Sequence, residues 1–302
     1  MFELRVPASS SNLGAGFDAL SLALKLYLRL RVEPGVGSDQ HFQSTEEFQF
    51  ETGENYIARA ATETALRYGS KLPSYRATVL EGIPVGRGLG SSAAALVAGI
   101  RLADRLCGLK ISASQAVELA TEMEGHPDNV TAALFGGLVL SAQDEERVLC
   151  KRFVLSKDLR FVAVIPDFQL PTQKARSVLP ATYSRADVTH NVQRAALLAA
   201  LLATGDFPFD REILADRVHQ PFRAALIPGF GDLLRLEVEG LVGVTLSGAG
   251  PTVLLWCRDN YENAGAAAVK AFQKHGVQAE YRVLEVDNSG TQFEDGTNEQ
   301  AE

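Results

Sequence analysis

Residues 84–100 read "PVGRGLGSSAAALVAGI": glycines at 86, 88 and 90, two serines, then an abruptly apolar, alanine-rich run. Glycine clears the path of an approaching group, so successive backbone N–H groups can face a ligand. Alanine favours helix strongly, which predicts a helix from about Ser92 to Leu106. The first N–H groups of that helix lack internal partners, and an anion there would satisfy them. A strand candidate, "YRATVL" at 75–80, leads into the loop. Strand, bare loop, serines and helix start describe a phosphate cradle; a plain tight strand-to-helix connection is the other reading of the same glycines.

The loop is not a P-loop, because no G-x-x-x-x-G-K-[ST] occurs and its one cation is Arg87. Nor is it a dinucleotide fingerprint, since Ser91 stands where the third glycine of G-x-G-x-x-G belongs. With so little fixed positive charge, a triphosphate would require a divalent cation as well. Glu118 and Glu122 are spaced i,i+4, a like-charge pair that either faces solvent or is screened by a cation. Beside a phosphate loop, Glu118 and the Ser92 hydroxyl are the expected Mg²⁺ ligands, hard oxygens being what that ion prefers.

At 302 residues the chain exceeds the ~100–200 that one core commonly fills, so two domains are expected. Their boundary is expected at 155/156, giving domains over 1–155 and 156–286, with an acidic tail over 287–302 too polar to order itself. The alternation of Leu22, Leu24, Leu26, Leu28, Leu30 and Val32 with Lys25, Arg29 and Arg31 predicts a strand over 22–32 with one wet face. Ser112 and Gln115 have the spacing of a capping box, and Gly125 that of a stop, which predicts a helix over 113–124. Further strands are expected at 137–142 and 161–166, in "LVGVTLSG", "TVLLWC" and "QAEYRVLEV", and helices at 189–203, 210–219 and 260–274. Short strands interleaved with helices, without βαβ regularity, favour an α+β fold.

The formal net charge of −8 argues against nucleic acid or an anionic membrane as partner. No apolar run reaches the ~18 residues of a membrane span, and "MFELRVPASS" lacks the layout of a secretion signal, so a cytoplasmic protein is expected. Cys107, Cys150 and Cys257 have no C-x-x-C spacing and read as reduced core residues.

Two segments concentrate polar groups in apolar surroundings. "SSSNLGAGFDAL" carries Asn12 and Asp18, and "EGHPDNVTAALFGG" carries His126, Asp128 and Asn129. Each alone is compatible with turn chemistry; together they suit a small-substrate pocket. Arg176 in "QKARSVLP" and Arg223 in "HQPFRAALIPG" would hold an anionic group or pair with protein carboxylates. Gly248 and Gly250 in "LSGAGPTVLLW" form either a tight hairpin or backbone that approaches a ligand closely.

The stretches "VPASSSNLGAGFDALSLAL", "PVGRGLGSSAA", "EGHPDNV" and "LSGAGPTVLLW" resemble, in order and spacing, the motifs of the GHMP kinase superfamily, and with the two arginine segments they resemble its homoserine kinase family. The likeness runs from Val6 to about Val286, with Thr131 and Ala132 departing from the usual Ala-Pro and a serine at 9 where threonine is common. It implies a ribosomal protein S5 domain 2-like N-terminal domain, a ferredoxin-like C-terminal domain and an active site between them, using ATP and Mg²⁺ to phosphorylate the side-chain hydroxyl of L-homoserine on the route to threonine. Pro84, Val85, Gly86, Arg87, Gly88, Leu89, Gly90, Ser91, Ser92, Ala93 and Ala94 would carry the ATP phosphates, and Ser92 with Glu118 would match the magnesium ligands. Asn12, Asp18, His126, Asp128, Asn129 and Gly248 would surround homoserine, while Arg176 and Arg223 would hold its carboxylate. Asp18, Asp128 and Asn129 are the candidates for aligning the hydroxyl or taking its proton, and Arg87 for neutralising charge. Symmetric dimers are common among such enzymes, so a homodimer is compatible with this reading. A mevalonate- or sugar-directed kinase of the superfamily, or a relative that binds nucleotide without chemistry, is the alternative.

Overall fold

The computed structural model describes residues 1–35, 40–43, 55–145 and 147–295. The first half builds a sheet from β1 (Phe2–Asn12), β2 (Gly16–Pro34) and β3 (Gln40–Gln43), then β4 (Tyr75–Glu81), β5 (Leu138–Asp144) and β6 (Arg147–Phe153). The helices α1 (Tyr56–Arg67), α2 (Ser91–Cys107), α3 (Ala113–Glu124) and α4 (Asp128–Phe135) lie between them in sequence. The second half contributes β7 (Arg160–Pro166), α5 (Thr172–Ser177), α6 (Arg185–Thr204), α7 (Gln220–Arg223), α8 (Phe230–Leu234), β8 (Leu241–Leu246), β9 (Val253–Cys257), α9 (Tyr261–Gln273), β10 (Ala279–Glu285) and β11 (Gln292–Asp295).

The long strand β2 organises the first sheet. Its early residues pair with β5 and its later ones with β4, while β1 runs antiparallel along most of it with register shifts at Pro7/Ala8 and Ser11/Asn12. The expected alternation holds: Leu22, Leu24, Leu28, Leu30 and Val32 are buried while Lys25 and Arg31 are exposed. The second sheet has the order β10-β7-β9-β8. Its central strands are buried on both faces, so neighbouring residues serve different cores. Phe161, Ala163, Ile165, Leu254 and Trp256 extend the core of the first sheet, whereas Val162, Val164, Val253 and Leu255 pack with α8 and α9.

Four expectations are corrected. The segment 210–219 is not a helix: it forms a 3₁₀ turn over Arg211–Leu214, then Asp216 captures the N–H groups of Val218, His219 and Gln220. A short carboxylate that takes these donors competes with the helical ladder. Cys150 is exposed and Cys107 half-buried, so only Cys257 is a core thiol, and all three are free. The helices α1 and α4 and the short α5, α7 and α8 are additions, α4 in a segment read as polar turn.

The fourth concerns the tail, of which 296–302 lies outside the described residues. The stretch Asp287–Asp295 is ordered: β11 pairs antiparallel with β1, and the buried Asp287 carboxylate accepts from Tyr27 Oη, Ser289 N and Gly290 N. Phe293 packs edge-on against Phe2, and the Arg105 guanidinium lies 5.0 Å from both rings. Phe293→Ala is expected to lower the unfolding free energy by about 1–2 kcal/mol in urea titration, the worth of a part-buried ring with its aromatic contacts.

Among the described residues no helix is long and apolar enough to cross a membrane.

Candidate active site

The glycine loop is a backbone nest. Gly86, Gly88 and Gly90 have φ of 65°, 78° and 69°, while Arg87 and Leu89 between them do not share that positive φ. Such alternation turns successive N–H groups to one side. The carbonyls are held on the other: Gly86 O accepts from Leu170 N at 2.9 Å, Arg87 O from Thr252 N at 3.1 Å, Gly88 O from Ser247 Oγ at 2.7 Å and Leu89 O from Ser9 N at 3.0 Å. Among the described residues none of the N–H groups from Gly86 to Gly90 has a protein acceptor. They join the free first turn of α2, whose start at Gly90 has no side-chain cap. Four tethered carbonyls and a row of open donors are what a polyphosphate requires. The side chains of Leu89, Ala93 and Ala94 are fully buried, so these residues face a ligand only through backbone.

A cleft of about 570 Å³ opens in front of the nest. Gly86, Gly88, Gly90, Ser91 and Ser92 line it together with Asn12, Asp18, His126, Asp128, Asn129, Arg176 and Gly248. The expected acceptor residues therefore converge, all but Arg223. Sequence reasoning missed Ser11, Tyr56, Arg59, Met123, Glu124 and the 169–173 segment, which also line the cleft.

Asn129 sits at the centre of a buried network. Its Oδ1 accepts from Ser9 Oγ at 2.8 Å, and its Nδ2 donates to Ser11 Oγ at 3.0 Å. The run Ser9-Ser10-Ser11 is buried, and each hydroxyl has a partner, Ser10 Oγ lying 2.8 Å from Ser247 Oγ, whose own hydrogen goes to Gly88 O. His126 Nδ1 lies 2.5 Å from Asp128 Oδ1, which also accepts from Asn129 N at 2.7 Å. Burial alone would raise the Asp128 carboxyl, but the hydrogen bond and charge of His126 hold it below its ordinary value. Asp18 spends both oxygens on Arg176, at 2.9 and 3.0 Å. Both carboxylates are thus already engaged by protein donors. Asn12 joins the two halves of the chain, its Oδ1 accepting from Asp18 N and its Nδ2 donating to Gly248 O.

A family profile for the GHMP kinases N terminal domain matches residues 55–137. A homoserine kinase of Moorella thermoacetica is 40% identical over 289 residues, covering 95% of this chain and 98% of its own. One from Deinococcus radiodurans is 41% identical, with 97% of each chain covered. The chain belongs to the homoserine kinase family. A crystal structure of homoserine kinase from Cytophaga hutchinsonii superposes with a TM-score of 0.83 at 23% identity over 97% of this chain and 96% of that one, which supports the shared α+β GHMP kinase fold.

Against the residues expected of a homoserine kinase, two side chains depart. Glu118 lies outside the cleft, in a surface depression with Arg67, Gln115 and Glu122, because the middle of α3 turns that face away from the nest. The carboxylate at the nest is Glu124, in the last turn of α3, whose Oε2 accepts from Ser92 Oγ at 2.6 Å. Burial raises the Glu124 carboxyl above its ordinary value, partly offset by the Ser92 hydroxyl and by His126. Arg87 also turns away, donating to the Pro166 carbonyl and, at 3.3 Å, to Asp167. Its guanidinium neutralises Asp167 and leaves the loop to its backbone dipoles.

Arg223 is 2% exposed and bonds to the carbonyl of Gly248, a residue that lines the cleft. Burial, with the nearby charge of Arg176, lowers its guanidinium to about 10. Its neighbour His219 is fully buried, and burial depresses that imidazole below 6.5 against the opposing pull of Asp216. Charged groups facing it are Asp216, Arg223 and Asp18. A depressed histidine contributes stability that is present above 6.5 and lost as the pH falls toward its folded value, because the unfolded chain takes the proton first. From pH 7.5 to 5.5, wild type is expected to lose more unfolding free energy than His219→Asn, by up to about 1.4 kcal/mol per unit below the ordinary value. Urea unfolding at the two pH values measures it.

Proposed function

We propose that the chain transfers the γ-phosphoryl group of ATP to the side-chain hydroxyl of L-homoserine, giving O-phospho-L-homoserine and ADP. One observation carries the choice of acceptor. Arg223 is buried beside the cleft, and among the described residues no carboxylate comes within 4.0 Å of it. A buried cation without a counter-ion is costly unless a ligand supplies one, and the carboxylate of an amino acid does so. A neutral sugar would not.

In this reading the nest holds the phosphate chain through N–H groups oriented before ATP arrives. Asn12, Asn129 and Asp18 shape the acceptor pocket, and Arg223 and Arg176 draw the carboxylate to the far end from the hydroxyl. The P–O bond to ADP breaks as the bond to the hydroxyl forms in line, and the hydroxyl proton leaves late. A loose transition state asks for alignment and charge neutralisation more than for a base, which agrees with the occupied states of Asp18 and Asp128.

Ser92 Oγ and Glu124 Oε2, 2.6 Å apart at the nest, are a hard-oxygen pair that fits Mg²⁺. Among the described residues no group of three or more His, Cys, Asp or Glu could hold a metal, so phosphate oxygens would complete this site. When bound, the ion would neutralise charge on the transferred group.

Homoserine, mevalonate and galactose offered separately with Mg-ATP test the reading: ADP release with homoserine alone is expected, and turnover of only a substrate without an amino group would overturn it. Arg223→Lys is expected to raise the KM for homoserine roughly 10–100-fold with a smaller change in kcat, since a lysine cannot reproduce the guanidinium's anchored geometry. Steady-state kinetics at saturating ATP decide it.

A further inference from the structure

The two arginines of the acceptor end are held in opposite ways. Arg176 is clasped by both oxygens of Asp18, a charge-neutralising pair. Arg223 is fixed by neutral acceptors alone: Nε donates to Ala175 O at 3.1 Å, and Nη1 donates to Gly248 O at 3.0 Å and to His219 Nδ1 at 3.3 Å. Its Nη2 has no acceptor among the described residues. Both guanidiniums lie against the Phe17 ring, at 5.7 and 5.4 Å from its centroid.

We propose that His219 is a positioning residue: a neutral imidazole, fixed as its Nε2–H tautomer by the Gly14 carbonyl, whose Nδ1 lone pair aims Arg223 at the substrate carboxylate. This rests on the reading of Arg223 given above. The tautomer follows from the partners. Gly14 O, 2.8 Å from Nε2, can only accept, and a guanidinium can only donate, so Nε2 carries the proton and Nδ1 is bare. Asp216 Oδ2 is 3.6 Å from Nε2, beyond hydrogen-bond reach, and its carboxylate is already taken by Asn191 Nδ2 and the backbone N–H groups of Val218, His219 and Gln220. The imidazole is further held by stacking on Phe17, at 5.4 Å and 25°.

The chemical sense lies in the choice of a neutral acceptor. A carboxylate in place of His219 would orient Arg223 equally well, but it would neutralise it and compete with the incoming anion. A protonated histidine would repel it. A neutral ring orients the guanidinium and leaves its charge and its Nη2 donors for the ligand.

The test uses isosteres that keep one ring nitrogen each. His219→Asn retains an acceptor near Nδ1, whereas His219→Gln retains a donor near Nε2 and loses the contact to Arg223. With homoserine, His219→Gln is expected to raise KM roughly tenfold with kcat little changed, and His219→Asn to stay closer to wild type. With 3-aminopropanol, which is homoserine without its carboxylate, kcat/KM of both variants is expected to stay within about twofold of wild type. Equal losses on the two substrates, or Asn no better than Gln, would overturn the proposal. Because a variant at a buried site can misfold, ¹⁵N imidazole shifts of the wild-type chain give a second measurement. A neutral Nε2–H tautomer whose Nδ1 resonance moves with homoserine and not with 3-aminopropanol is expected, and an imidazolium or an Nδ1–H tautomer would overturn the assignment. A wild-type enzyme that phosphorylates homoserine but uses 3-aminopropanol equally well removes Arg223 from carboxylate binding, and the positioning role goes with it. Failure to phosphorylate homoserine at all would instead overturn the proposed function.

Discussion

Glu124→Gln raises the Mg²⁺ concentration needed for half-maximal activity by about 100-fold or more, while Glu118→Gln leaves it within about twofold. The expectation comes from where the fold puts its carboxylates. Glu124 ends α3, where the negative pole of the helix disfavours an anion, and Asp128 adds a second like charge. It is half-buried, and its one hydrogen bond from a side chain is the Ser92 hydroxyl. Burial, the helix pole and Asp128 outweigh the Ser92 hydroxyl and His126 and raise this carboxyl, so a cation at the nest is the partner that would make an ionised group there favourable. Glu118, by contrast, shares an exposed depression with Arg67 and Glu122, themselves an ion pair at 2.5 Å. Initial rates against free Mg²⁺ give the kinetic comparison. Mn²⁺ binding by electron paramagnetic resonance, with a non-hydrolysable ATP analogue, gives one that does not depend on turnover. Unchanged Mn²⁺ affinity in Glu124→Gln, or a loss confined to Glu118→Gln, would return the site to the middle of α3.

The choice between these glutamates also marks how far the sequence could be read. The capping box of Ser112 and Gln115 and the stop at Gly125 placed α3 at its observed bounds. Periodicity placed the core face of β2, and the glycine spacing located the nest. These are local signals, settled by residues within one or two turns of one another. The i,i+4 spacing of Glu118 and Glu122 points to Glu118 and passes over Glu124, yet which helix face meets the nest depends on how α3 packs against α2, a tertiary fact. A usable clue was present, since a helix stopping at Gly125 delivers its last turn to the polar "EGHPDN" segment. The same segment hid α4, where Gly and Pro were read as turn although proline is at home at a helix start. Arg87 misled for a similar reason: a lone cation in a phosphate loop invites a role, and only the fold shows Asp167 beside it. The ordering of Gln292–Asp295 was illegible because the tail's composition is polar, and its order comes from the free edge of β1 together with the rings of Phe2 and Phe293.

Gly88→Ala is expected to lower kcat/KM for ATP by about 100-fold or more, the loss that misplacing a binding group by ~1 Å can cause. Two independent requirements meet at this residue. Its φ of 78° is left-handed, which costs a side-chain-bearing residue about 1–2 kcal/mol. In addition, an added Cβ would stand 2.4 Å from Ser247 O and 2.8 Å from Gly250 O, both backbone atoms with no rotamer to swing aside. Relief would have to come from separating the glycine loop from the 247–250 turn. That turn supplies the Ser247 hydroxyl bound to Gly88 O, and its Gly248 carbonyl holds Asn12 and Arg223, so phosphate nest and acceptor pocket would shift together. A loss in both ATP and homoserine kinetics is therefore the expected signature. Gly108→Ala is the control: it has a similar φ of 63° at the end of α2 but nothing within 4 Å of the added carbon, so about 1 kcal/mol of stability is lost with kinetics unchanged. Should Gly88→Ala behave like this control, with urea unfolding slightly weakened and both KM values intact, the nest would not be the rigid phosphate cradle on which the mechanism depends.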